Sequence, residues 1–439
     1  EFTVESLSID DSEGVFSIGE DIENRPLAPG DSLPVGIRFS PTAERKYTGT
    51  LHVHSTCSNA PDKQIALQAV GVDGTIVSPA NRGTGMTSGT WAKADSPYVI
   101  TSDVDIPRGQ SLYIEPGVTV KFAGHFKITI GYLATLRAIG TEAENIVFTA
   151  IDPNEGWFGM RFVNSGTDDM LEHCTIEYSK KPRSGGGGYE NLMGGAILCA
   201  GSWDVEPGYL IPSSPTIKNC LIAHNRAMFG GAIMCADDSE AEITNNRIVD
   251  NKADLGGAGM YIAYGSPVVS NNIIAHNSAG VVGGGIMSWI STPSIKNNTI
   301  VRSRPSALHL ETTTLYPWWP TPPVPVQNNI IWQNEIHVTE EVLSSEYDIT
   351  FNDVQGGWNG EGNIDADPFF ADAENRDYHL MSHAGCWDQA GNSWIASDLT
   401  SPCIDAGDPA APVGNEPAPH GDRINMGAYG STEQASKSF

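Results

Sequence analysis

Ile217-Lys218-Asn219-Cys220, Ile243-Thr244-Asn245-Asn246, Val269-Ser270-Asn271-Asn272 and Ile295-Lys296-Asn297-Asn298 follow one another in steps of 26 residues. Asn225, Asn251 and Asn277 repeat with the same step. Between these marks runs a glycine signature: Gly230-Gly231-Ala232-Ile233, Ala258-Gly259-Met260 and Gly284-Gly285-Ile286. A fixed period of this size decides the architecture before any local element is read. A single coil of that length cannot bury its own apolar face and must stack on its neighbours. The apolar stretches at 233–236 and 260–263 are short and alternate, which predicts strands rather than helix. Asn and Gly supply the left-handed backbone that sharp corners need. Asn at one corner of every coil can also stack amide on amide into a ladder. Strand, Asn corner, strand, Gly corner at constant pitch is an all-β chain wound as a parallel β-helix.

The Gly-Gly-x-Ile and Asn-Asn-x-Ile pattern resembles the repeats of secreted right-handed parallel β-helix proteins, a group that includes polysaccharide lyases, polysaccharide hydrolases and bacterial surface adhesins. Ile114-Glu115-Pro116-Gly117-Val118, with the strands around it, resembles the N-terminal capping coils of that group. Asn363-Ile364-Asp365-Ala366-Asp367-Pro368, Ser401-Pro402-Cys403-Ile404-Asp405 and Ile424-Asn425-Met426-Gly427 resemble its Planctomycetes-type C-terminal cap. Near the start, Leu27-Ala28-Pro29-Gly30, then 35–41, Thr48-Gly49-Thr50-Leu51 and Leu67-Gln68-Ala69-Val70-Gly71 resemble a partial immunoglobulin-like module of ASH type. The expected organisation is a β-sandwich module over 1–72, a linker over 73–90, a right-handed β-helix of roughly ten coils over 91–350, and a capping segment over 351–439. The chain reads as a monomeric piece of a larger multi-modular secreted or cell-surface protein, with its export signal upstream.

The charge balance is lopsided, with 25 Lys+Arg against 53 Asp+Glu and a net charge of −28. No basic patch is available to neutralise phosphates, which argues against nucleic acid and against an anionic membrane surface. No apolar run is long enough for membrane insertion. The acidity suits an extracellular protein and favours Ca²⁺, although no cofactor is required by any motif. Of the seven cysteines, Cys199 and Cys235 occupy equivalent coil positions, as do Cys174 and Cys220, and these read as small buried groups in a stack. Cys386 and Cys403 lie in an irregular segment and are candidates for a disulfide; Cys57 is left over, and zinc-ligand spacing is absent.

Alternate side chains of a strand face opposite ways. With Ile233, Met260, Ile286 and Leu308 inward, Met234, Tyr261, Met287 and His309 form one outward column, and Ala236, Ala263, Trp289 and Glu311 the next. Asp237 and Asp238 extend that column. Aromatics beside carboxylates on a long face suit a polysaccharide, whose flat sugar faces stack on Trp and Tyr. Asp237, Asp238 and Glu311, with His309 assisting, are the candidate catalytic groups for glycoside hydrolysis, which needs two flanking carboxylates. Tyr261 and Trp289 are candidate binding residues, joined by Tyr316, Trp318 and Trp319 from a Pro-rich insertion. Lys180 and Arg183, in the most basic stretch of the chain, are candidate contacts for the runner-up chemistry, a Ca²⁺-dependent polysaccharide lyase. Asp365, Asp367, Asp405 and Asp408 are candidate ligands of a structural Ca²⁺. A non-catalytic glycan-binding, adhesin or surface-structural module is the remaining alternative.

Overall fold

The computed structural model describes residues 2–20, 22–59, 61–78, 87–181, 191–201, 211–311, 323–333, 336–338 (backbone) and 347–439. The chain divides into two compact units, Glu1–Thr75 and Ile76–Phe439. In the first, strands Arg25–Leu27, Phe2–Asp10, Lys46–Ser55 and Asp62–Val70 form an antiparallel sheet in that spatial order, and Phe16–Ile18 pairs with Ile37–Phe39. Its small core gathers Val15, Phe16 and Tyr47, with Phe39 packed against the last two rings. Phe2–Asp10 supplies an opening strand, where the sequence pattern shows none.

The second unit is a parallel solenoid. Among the described residues its three walls contain nine, ten and eleven strands, so about nine turns carry all three walls. We call the walls A, B and C. Wall A includes Ile197–Ala200, Ile233–Ala236, Met260–Ala263, Ile286–Trp289 and Leu308–Glu311. Wall B includes Glu242–Thr244 and Val268–Ser270, and wall C includes Arg247–Val249 and Ile273–Ala275. The register is that of the 26-residue period: Ile217 stacks on Ile243, Ile243 on Val269, and Val269 on Ile295. These four side chains are fully buried, as are Ile233, Met260, Ile286 and Leu308 on wall A. One continuous apolar core results, which is what coils unable to bury a face alone must build.

The two asparagines of each corner have different tasks. Asn219, Asn245, Asn271 and Asn297 hold left-handed backbone between φ 54° and 57°. The position that follows carries the ladder: Asn246, Asn272, Asn298, Asn329 and Asn352 are buried, and each of the first four passes its amide to the next. A second ladder runs through Asn225, Asn251 and Asn277. Cys174, Cys199, Cys220 and Cys235 are buried and unpaired, Cys199 stacked on Cys235 as their equivalent positions predict. Cys386 and Cys403 are also free, which corrects the disulfide expectation. Cys403 Sγ instead donates to Asp353 Oδ2 at 3.1 Å.

Two features have no signature in the period. A fourth sheet of Arg226–Phe229, Lys252–Gly256 and Ser278–Ala279 lies between wall C and the Gly corner. It roofs the outer side of wall A, where Phe229 and Val282 pack on Met234, Tyr261 and Met287. The C-terminal segment also does more than close the last coil. Trp358 packs against the core, but Tyr378 and Ala428 double back onto the outside of wall C, against Val249, Ile273, Ala275 and Val301. Asn271 Nδ2 donates to the carbonyls of Ala428 and Gly430, and Arg376 Nη2 pairs with Asp250 at 3.1 Å. The Tyr378 hydroxyl meets His276 Nε2 at 3.3 Å. Tyr378→Phe is expected to cost about 1 kcal/mol, one modest buried hydrogen bond. Hydrogen exchange confined to 370–380 would show it as faster opening of the returning segment with the coils unchanged.

Candidate functional site

The outward column forms with the expected register. Arg161, Leu198, Met234, Tyr261, Met287 and His309 are neighbours on successive rungs of wall A. Beside it Ala236, Ala263, Trp289 and Glu311 are neighbours as well. The first column is not an open platform, however. Tyr261 is only 6 % exposed, its ring stacked on Phe229 at 5.0 Å beneath the fourth sheet. Burial, helped by nearby Tyr264 and Glu311, pushes its hydroxyl pKa up to about 12. Tyr261 is therefore a packing residue rather than a surface on which a sugar can stack. Arg161 lies in the same buried column, and its guanidinium donates to the carbonyls of Phe158, Met160, Met193 and Gly194.

The open ground is one step further, at the corner leaving wall A. Asp237, Tyr264 and Ile290 occupy it on successive coils, each in left-handed backbone, with Asp238 as one extra residue on the first. The Asp237 amide donates to Ala263 O, the Tyr264 amide to Trp289 O, and the Ile290 amide to Glu311 O. Tyr264 is 45 % exposed and meets half-buried Trp289 edge to face at 5.1 Å. On the next rung, Glu311 is half-buried and its Oε2 lies 3.6 Å from His309 Nε2. The corner thus assembles Tyr264, Trp289, His309 and Glu311. The sequence pattern of strands does not single out Tyr264; its signal is its place one coil along from Asp237, at a left-handed corner that disfavours an aromatic residue.

The carboxylates do not assemble in the expected way. Asp237 follows Ala236, three rungs from Glu311 along the column. Rungs stack at about 4.8 Å, which separates the two backbones by about 14 Å. Glycoside hydrolysis places its pair roughly 5–9.5 Å apart. The residue type at Asp237 and Asp238 follows from their corner, φ 50° and 62°, which short polar side chains tolerate. Lys180 Nζ donates to Asn154 O at 2.8 Å, and buried Lys181 sits 3.2 Å above the Phe158 ring. Lys180 and Lys181 thus anchor chain segments rather than standing as free cations of the kind lyase chemistry needs. Arg183, Tyr316, Trp318 and Trp319 lie outside the described residues.

The four aspartates proposed for Ca²⁺ do not fit a shared ion. Asp365 accepts from the Gly356 amide, Asp367 from Phe369, Asp405 from Gly421 and Asp408 from Ala410. Asp367 and Asp408 close their own turns, Asp365 and Asp405 tie down more distant loops, and among the described residues no three acidic, His or Cys side chains converge on a metal position.

Residues 162–331 match the family model described as right handed beta helix region. Residues 347–407 match one described as Disaggregatase related, across the last coil and the start of the returning segment. No curated protein and no solved structure matches the chain. Family match and stacked register agree: residues 162–331 are a right-handed parallel β-helix region, the same parallel stacking continues in the coils on either side, and a small antiparallel β module precedes the solenoid in sequence.

Proposed function

We propose that the chain is a carbohydrate-active protein that holds an extended polysaccharide along the corner leaving wall A. The observation that carries this reading is the Tyr264–Trp289 pair, open to solvent beside Glu311. Aromatic faces take the apolar side of a sugar ring, and carboxylates accept from its hydroxyls. The corners of successive coils stack on one another, so an extended chain of sugars can run along them while stacking on Tyr264 and Trp289. The net charge of −28 favours a neutral glycan over a polyanionic one. It weighs equally against nucleic acid. Among the described residues no helix is long and apolar enough to cross a membrane. An extended glycan is met outside the cell, so a secreted or cell-surface setting belongs to the proposal.

Tyr264→Ala is expected to weaken binding of a neutral soluble polysaccharide about five- to thirtyfold, since one stacked sugar contributes on the order of 1–2 kcal/mol. Trp289→Ala acts in the same direction. Affinity electrophoresis of the full chain measures both, and mobility in the glycan gel that neither substitution alters removes the site. The His309–Glu311 contact favours a second reading, in which the bound glycan is also cleaved. Glu311→Gln would then abolish reducing-end release, while the Asp237→Asn/Asp238→Asn double variant would retain it. Absence of release from the unaltered chain leaves binding alone.

A further inference from the structure

The returning C-terminal segment and the wall B to wall C corner enclose a cleft of about 490 Å³, within the range of small-molecule sites. Asn245 and Arg247 line it from the solenoid; His379, Tyr429 and Gln434 line it from the returning segment. His379 is 2 % exposed and its ring lies on the Tyr429 ring, centroids 3.6 Å apart. Its Nδ1 meets Asp377 Oδ1 at 2.6 Å. Burial pushes the Asp377 carboxyl up, but the hydrogen bonds from His379 outweigh it and hold the carboxyl below its usual range. An ionised Asp377 can only accept, so Nδ1 carries the proton and, in the neutral ring, Nε2 presents its lone pair. That Nε2 is buried and has no hydrogen-bond partner among the described residues.

A buried polar atom without a partner needs an explanation, and a partner that arrives with a ligand is one. The atom calls for an O–H or N–H donor. The rest of the lining is rich in amides: the side chains of Asn245, Gln389, Asn415 and Gln434 make no hydrogen bond to other described residues. A primary amide donates and accepts side by side, which matches a vicinal pair of hydroxyls. Arg247 and Glu433 are both in the lining, so the charges balance and no net charge is demanded of the ligand. We infer that this cleft binds one or two units of a neutral sugar, with His379 Nε2 accepting from a ring hydroxyl. The site is separate from the Tyr264 strip and stands if that strip binds nothing.

The test uses the full chain with a set of neutral monosaccharides and disaccharides, followed by saturation-transfer NMR and calorimetry. Saturable binding is expected. His379→Gln should weaken it at least tenfold, Gln434→Ala measurably, and Tyr264→Ala not at all. Gln434 is at a turn remote from the core, so its variant decides the matter even if His379→Gln fails to fold. The inference is overturned if no sugar of the set saturates the chain at millimolar concentration. It is overturned equally if Gln434→Ala leaves binding unchanged, or if Tyr264→Ala alone removes it.

Discussion

Replacing Asn272 by alanine is expected to lower the stability of the solenoid by about 4 kcal/mol, while the neighbouring Asn245→Ala, one coil earlier, costs only about 1 kcal/mol. The two asparagines belong to the same sequence repeat, and the difference lies in what their side chains touch. Asn272 Oδ1 accepts from both the backbone and the side-chain amide of Asn246, at 2.9 and 3.0 Å. Its Nδ2 donates to Ile243 O at 2.8 Å and to Asn298 Oδ1 at 3.0 Å. The residue is fully buried, so water cannot replace any of these partners. Alanine leaves the Asn246 amide and the Ile243 carbonyl unsatisfied, each costing roughly 1–3 kcal/mol. The polarisation that links one rung to the next is cut as well. Asn245 has no such bonds; its contribution is the left-handed corner at φ 56°, which alanine can still adopt at a penalty of about 1 kcal/mol. Thermal unfolding followed by far-UV circular dichroism separates the two. Equal falls in Tm for the two variants would show that the corner conformation, not the ladder, carries the stability.

That contrast marks how far the period alone could be read. A 26-residue step, a left-handed Asn corner and a row of inward Ile are local and repeat, so each coil independently reports them. The sequence also suggests amide stacking, but not which Asn of the pair stacks, because both recur with the same spacing. The fourth sheet left no trace. Lys252-Ala253-Asp254-Leu255-Gly256 has no β-branched or aromatic residue and alternates over only four positions, and it becomes a strand because the coil before and the coil after offer it partners. Its consequence is that outward no longer means exposed. Met234, Tyr261 and Met287 leave one core only to enter another.

The candidate site was legible to the same depth. Column membership follows from period and alternation, and Trp289, His309 and Glu311 do share neighbouring rungs. Residue type and column alone favour Asp237 and Asp238, whereas three rungs of stacking height separate them from Glu311. The cleft was out of reach of any local reading. It depends on contacts such as Asn271 with Gly430, 159 residues apart, and on a segment whose sequence lacks the repeat.

Glu416 in the returning segment is expected to contribute more stability in mild acid than at neutral pH, and Glu416→Gln should remove that contribution. Glu416 is 7 % exposed. Its Oε1 accepts from the amides of Asn425 and Ser431, both at 2.8 Å, and so ties two turns together. Its Oε2 is buried with no partner among the described residues. Desolvation outweighs the two amide bonds and raises its pKa from 4.5 to about 7. Asp353 and Asp169 are raised from 3.8 to about 6, again chiefly by burial. A raised acid binds its proton more tightly in the folded chain than in the unfolded one. Between pH 4.5 and about 7 the folded state therefore holds the extra proton on Glu416, and stability falls as pH rises through that window. Above it the folded chain carries the whole cost of a buried carboxylate, about 3 kcal/mol for a shift of this size. Glutamine keeps the acceptor toward Asn425 and Ser431 and removes the charge. The variant should exceed the unaltered chain in urea midpoint at pH 8 and come close to it at pH 4.5. The residual slope of the variant between pH 4 and 6 belongs to Asp353 and Asp169, and adding Asp353→Asn should flatten it further. A variant that gains nothing at pH 8 would mean that water reaches Oε2 and that the carboxylate is already solvated where it sits.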